Sequence, residues 1–137
     1  MSQLVNISEA LSLALHGMGL IAQSGGRVSI REIASQTNSS EAHLSKVFQR
    51  LARSGLVIAT RGPKGGFELS RVPSRITLYD IYTSIEGDAL KSECILHGIQ
   101  CPFKQCLFGG MLRRINEDFI EHLVSHTLED LVNGDMA

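Results

Sequence analysis

The 137-residue sequence predicts a mainly α fold carrying one small β-hairpin, and three observations predict it. Apolar residues recur at three- and four-residue steps through most of the chain, the spacing of amphipathic helices. One stretch, LVIATRGPKGGFELS, instead alternates apolar and polar residues about a glycine-rich centre, the pattern of a hairpin. Charge is unevenly divided as well. Between Arg27 and Arg75 nine Lys or Arg stand against three acids, a balance of +6, whereas the remainder carries four basic and eleven acidic residues, a balance of -7. That asymmetry is the footprint of a polyanion-binding module inside an otherwise acidic protein.

A hydrophobic content of 43% suffices for the core of a single domain or of a small domain with an oligomerisation arm. Met1 is followed by SQLVNISEALS, without a basic leader, and no apolar run is long enough to span a bilayer. The expected setting is cytoplasmic, with no membrane contact. Thiols stay reduced there, and clustered cysteines bind metal or do redox chemistry more often than they form cross-links.

In chain order, Ile7 to about Ser24 reads as a helix through Leu11, Ala14, Leu15, Met18, Ile21 and Ala22, ended by Gly25 and Gly26. Glu9 lies in its first turn, where a carboxylate suits the positive end of the helix dipole. SIREIASQ follows, a short helix with Ser29 and Glu32 as a capping box. In TNSSEAHLSKVFQRLARSG, Asn38 with Glu41 gives a further capping signal, and Leu44, Val47, Phe48 and Leu51 form a buried stripe as far as Gly55. Two short helices joined by a tight polar turn, the second longer and basic, make a helix-turn-helix.

Its exposed face carries Ser40, Glu41, His43, Ser45, Lys46, Gln49, Arg50 and Arg53. Hydroxyls and N–H groups at helix starts, such as those of Ser29 and Ser40, suit phosphate; His43 and Ser45 are short enough to read base edges; Lys46, Arg50 and Arg53 can neutralise the backbone. The expected partner is double-stranded DNA. The hairpin from about Leu56 to Ser70 has its tip at residues 62–66, so Arg61 and Lys64 project from a stiff wing beside the basic helix, placed for a minor groove. The whole is a winged helix-turn-helix. GPKGG lacks the spacing and the strand-to-helix setting of a nucleotide phosphate loop.

ITLYDIYTSIEG has Thr77 and Asp80 as a capping box, an apolar stripe at Leu78, Ile81 and Ile85, and a stop at Gly87. Beyond it, ECILHGIQCPFKQC holds all three cysteines, Cys94, Cys101 and Cys106. An odd count leaves at least one thiol outside any disulfide within the chain, so a ligand set is the better reading. Three thiolates suit an iron–sulfur cluster. A four-iron cluster asks for a fourth ligand, with His97 the local candidate and Glu9 a remote one. A long helix, about Cys106 to His126, then carries Leu107, Phe108, Met111, Leu112, Ile115, Phe119 and Leu123. This stripe is wider than one winged domain covers, and a second copy is the economical partner. Two recognition helices about 34 Å apart would match a palindromic operator. SHTLEDLVNG closes the chain with a cap at Thr127 and a short helix. The expected division is 1–90 for DNA binding, 91–106 for the cysteine loop and 107–137 for dimerisation.

With the wing TRGPKGGFELS, the segment ITLYDIYTSIEG, the three cysteines and the ending TLEDLV, the chain resembles, over essentially its whole length, the bacterial winged-helix repressors that include the iron–sulfur regulators IscR and NsrR. The resemblance implies a homodimeric transcriptional repressor with a cluster held near the dimer interface by Cys94, Cys101 and Cys106. In NsrR-like members a carboxylate near the start of the first helix of the other subunit is the fourth ligand, and Glu9 falls at that position. In IscR-like members a histidine three residues after the last cysteine serves, and here that residue is Gly109. Members that hold a two-iron cluster use a histidine one turn after a first-helix glutamate, where this chain has Leu13.

The family pattern thus favours a 4Fe-4S cluster over a 2Fe-2S cluster and a two-state switch responding to nitric oxide or another small oxidant. The alternatives are a cluster-free thiol sensor of the same fold and a module whose helix-turn-helix contacts protein. His97 could activate a neighbouring thiol, but no orienting residue accompanies it, and enzyme activity is not expected.

Overall fold

The computed structural model describes residues 7–87 and 101–137. In order these form α1 (Glu9–Ser24), α2 (Ile30–Thr37), α3 (Glu41–Arg53), β1 (Val57–Thr60), β2 (Gly66–Leu69), a 3-10 turn at Pro73–Arg75, α4 (Leu78–Glu86), α5 (Met111–Ser125) and α6 (Leu128–Asn133). This is the expected winged helix-turn-helix with a later long helix.

Local chemistry sets the boundaries. Helix α1 begins at Glu9 rather than Ile7 because the Ser8 hydroxyl accepts the Leu11 N–H at 3.1 Å and caps it. Asn38 takes a different role from the expected N-terminal cap. It adopts the left-handed conformation (φ 51°) that closes α2, and Ser40 caps α3 by accepting the His43 N–H at 3.2 Å. The capping boxes at Thr77 with Asp80 and at Thr127 with Asp130 are both formed. The long helix starts at Met111, later than expected, since Gly109 and Gly110 hold φ of 55° and 85° and break the helical path from Cys106.

The strands pair antiparallel from Val57 with Leu69 to Thr60 with Gly66. An unforeseen third segment joins them: Val28 exchanges two backbone hydrogen bonds with Phe67, at 2.9 and 2.8 Å. Gly66 is needed for that approach, because a Cβ there would lie 2.5 Å from the Val28 carbonyl oxygen.

The core is organised around Phe48, fully buried on the inner face of α3. A Cβ on Gly17 would come within 2.6 Å of the Phe48 ring, so the glycine lets α1 and α3 meet at this point. On its other side the Phe48 ring stands 5.0 Å from that of Phe67, tilted by 51°. Burial of such a side chain stabilises the fold by roughly 1.5–3 kcal/mol. The same core takes in Leu123 of α5 and Leu128 of α6. His126 is extended, and reciprocal backbone bonds of 3.0 Å, Leu78 to His126 and Leu128 to Ile76, stitch the end of the chain to the start of α4.

Candidate nucleic-acid interface and cysteine segment

The start of α3 supplies the first group of polar side chains. Ser40, Glu41 and Lys46 are exposed, and His43 and Ser45 are half-buried on the same helix. The oxygens of Ser29 and Ser40 accept the N–H groups of Glu32 (3.1 Å) and His43 (3.2 Å) respectively. Each hydroxyl proton is left to donate, as phosphate recognition requires. The dipole of α3 adds positive potential at the same end.

The wing supplies the second group. Arg61 is exposed just before the tip and Lys64 within it, where Gly62 has φ of 107° and the Gly65 N–H closes the turn on the Gly62 carbonyl at 2.9 Å. Phe67 fixes the wing to α3 through Phe48. Arg27 braces it from the other side: one guanidinium nitrogen donates to the Lys64 carbonyl at 3.4 Å, and the other lies 3.8 Å from the Glu68 carboxylate. The sequence offered no signal for this role of Arg27, because its partners lie 37 and 41 residues away.

Two expected site residues make contacts within the chain. The Arg50 guanidinium, assigned to the DNA backbone by the sequence pattern, donates to the carbonyl of Ile85 at the end of α4. Glu9 stands at the start of α1 with its carboxylate 77% exposed, 3.7 Å from the imidazole of His43 in the same chain. One of the expected metal ligands therefore adjoins the recognition helix.

Cys94 and His97 lie outside the described residues. Cys101 and Cys106 are free, exposed thiols, and the Cys106 sulfur accepts the Phe108 N–H at 3.4 Å. Among the described residues no three His, Cys, Asp or Glu side chains converge as a metal site. The donor chemistry still suits an iron–sulfur cluster: unpaired thiols are the ligands such a cluster prefers, and the Glu9 carboxylate is exposed.

Helix α5 turns Leu112, Asn116 and Leu123 inward and leaves Met111, Ile115 and Val124, with Leu107 and Phe108 just before it, exposed. On its inner side the Tyr82 ring of α4 meets Phe119 edge-on at 5.5 Å. Burial pushes the Tyr82 phenol up, with the charge of Glu86 and then that of Tyr79 adding to the effect. Among the described residues neither the Tyr82 hydroxyl nor the Asn116 amide has a hydrogen-bond partner. No described helix is long and apolar enough to cross a membrane.

A family model described as Rrf2, iron-dependent transcriptional regulator, matches residues 7–134. The protein aau3 of Rhizobium meliloti is 35% identical over 133 residues, covering 95% of this chain and 86% of that protein. The transcriptional regulator NsrR of Geobacillus kaustophilus is 30% identical, with 95% and 89% covered. Among solved structures, CymR, described as the global cysteine regulator of B. subtilis, superposes with a TM-score of 0.76 at 30% identity, over 94% of this chain and 97% of that one.

Proposed function

Since the chain belongs to the Rrf2 family of transcriptional regulators, and is a DNA-binding regulator rather than an enzyme, we propose that it acts as a homodimeric repressor whose cysteine segment reports a small-molecule signal to the operator. The observation that carries this reading is the joining of the basic helix to the wing in one core. The start of α3 and the wing form one rigid unit through Phe48 and Phe67, and the exposed thiols follow in the same short chain.

In this reading Ser29 and Ser40 donate to phosphates, Lys46 neutralises backbone charge, and His43 and Ser45, with Glu41 as an acceptor beside them, face base edges in the major groove. Arg61 and Lys64 take the wing into the adjacent minor groove. Residues 107–137 supply the dimer contact, through the apolar side chains that α5 leaves exposed. Cys94, Cys101 and Cys106 would hold an iron–sulfur cluster, 4Fe-4S in preference to 2Fe-2S, with Glu9 of the second copy as fourth ligand and His97 as the local substitute. When bound, that group supplies an iron centre open to nitric oxide or another small oxidant. A cluster-free thiol sensor is the second reading, favoured by the two exposed unpaired thiols and the similarity to a cysteine regulator.

Anaerobic purification with visible absorbance, followed by operator binding, tests the choice. The wild-type protein is expected to be coloured, and Cys94→Ala, Cys101→Ala and Cys106→Ala each to lose the colour. A colourless protein whose DNA affinity responds to peroxide establishes the thiol reading instead. Full spectra in all three variants would exclude the cysteines as ligands.

A further inference from the structure

The last turn of α4 is the final described element before the chain enters the cysteine segment, and three polar contacts converge on it from the DNA-binding side. The Arg50 guanidinium of α3 donates to the carbonyl of Ile85. The Ser84 hydroxyl donates to that of Ser54, the cap residue at the end of α3, at 2.8 Å. The Glu86 carboxylate accepts the hydroxyl of Ser8, the residue that caps α1 immediately before Glu9.

The Ile85 carbonyl is one of the last four of its helix, which have no partner within it, and a cation there also meets the negative end of the helix dipole. Arg50 is itself in the last turn of α3, at the opposite end from Ser40 and His43. The Ile85 side chain is buried in the core, so this turn has little freedom to shift without carrying α3 with it.

We propose that residues 84–86 form the joint through which the cysteine segment acts on the recognition helix, with Arg50 as its positioning residue rather than a phosphate contact. A pull on the chain beyond Gly87 is delivered to the end of α3 through Arg50 and Ser54, and to the start of α1, beside Glu9, through Ser8. Because α3 behaves as a rigid rod, a small displacement at its last turn re-aims its first turn in the groove. This inference rests on the sensing role proposed above, and Arg50 supplies a way to test the two apart.

Full-length wild type, Arg50→Gln and Arg50→Lys are compared for operator affinity in two states, anaerobically purified and treated with chelator plus iodoacetamide, across a salt series. Arg61→Ala is the control. In wild type the two states should differ in affinity by about 10-fold or more, within the usual range of coupling between sites. In Arg50→Gln the ratio should fall below about 3-fold while the salt slope stays that of wild type, since each lost phosphate contact would lower the slope by about 0.9. Arg50→Lys, which keeps a long, positively charged donor for the Ile85 carbonyl and the helix dipole where Gln is shorter and neutral, should recover part of the ratio. Arg61→Ala should weaken binding in both states and leave the ratio intact. A reduced slope in Arg50→Gln overturns the inference by making Arg50 a phosphate contact. A wild-type ratio retained by Arg50→Gln overturns it and leaves the sensing role standing. A wild-type ratio of one overturns both.

Discussion

Helices α3 and α5 are both amphipathic and of similar length, yet they are finished differently. Helix α3 buries Leu44, Val47, Phe48 and Leu51 on one face and turns Glu41, Lys46 and Gln49 outward. Its apolar demand is met inside the chain, and what it exposes is polar. Helix α5 buries Leu112 and Leu123 but also an amide, that of Asn116, while Met111 and Ile115 stay exposed. A helix of the first kind is a scaffold for a surface. One of the second kind has its inner face imperfectly satisfied and its outer face apolar and exposed, which is what the proposed dimer contact requires.

The largest effect separating the two should come from Phe48→Ala. The ring meets α1 at Gly17 and packs, tilted, against Phe67 of the wing, so its removal leaves a cavity between them. Denaturant unfolding should show a loss of about 3–5 kcal/mol. A loss below about 1 kcal/mol would mean that Phe48 is not the hub of the winged core.

The sharper division between the helices comes from Ile115→Asp. Ile115 is 36% exposed in the isolated chain, so a carboxylate there should change the stability of the monomer fold by no more than about 0.5 kcal/mol. In the proposed two-fold dimer a carboxylate on this face would be desolvated against the second copy and strongly unfavourable. Sedimentation should show the wild-type protein as a dimer and the variant as a monomer with operator affinity reduced at least tenfold. An unchanged dimer would place the interface elsewhere.

The contrast also explains what could be read from the residues in advance. The winged domain was legible because its signals are local: the Ser29 cap, the Thr77 box, the stripe ending at Gly55 and the glycine-rich tip each act over a few residues. Misplacements were local too. Ser8 and Ser40 outcompeted the earlier starts expected at Ile7 and Asn38, because a serine hydroxyl one residue before a helix satisfies an N–H of its first turn that would otherwise be unpaired. Non-local contacts had no signature. Nothing around Arg50 indicates a carbonyl 35 residues away, nothing in Arg27 indicates the wing, and nothing in Glu9 indicates His43. The surface residues could be listed from pattern and charge, whereas their wiring required the fold. The cysteines were legible as ligands by chemistry alone, and the part of that segment carrying Cys94 and His97 lies outside the described residues.

The smallest effect should come from Tyr82→Phe, at the seam between the two regions. The Tyr82 ring is packed against Phe119, and its hydroxyl is buried without a partner among the described residues. Deleting a hydroxyl that makes no hydrogen bond removes a desolvation penalty and keeps the packing, so stability near neutral pH should stay level or rise by up to about 1 kcal/mol. The pH dependence fixes the sign independently. Burial raises the folded-state phenol above its ordinary value of 10.0, so the neutral ring contributes stability that is fully present below that value and is lost as pH rises through the higher folded-state value. Tyr82→Phe should therefore unfold less steeply above about pH 10 than wild type. If the substitution instead costs more than about 1 kcal/mol at neutral pH, the hydroxyl has a partner in solution. A cost that appears only at concentrations where the chain self-associates would place that partner on the second copy, making the inner seam of α5, and not only its outer face, part of the dimer.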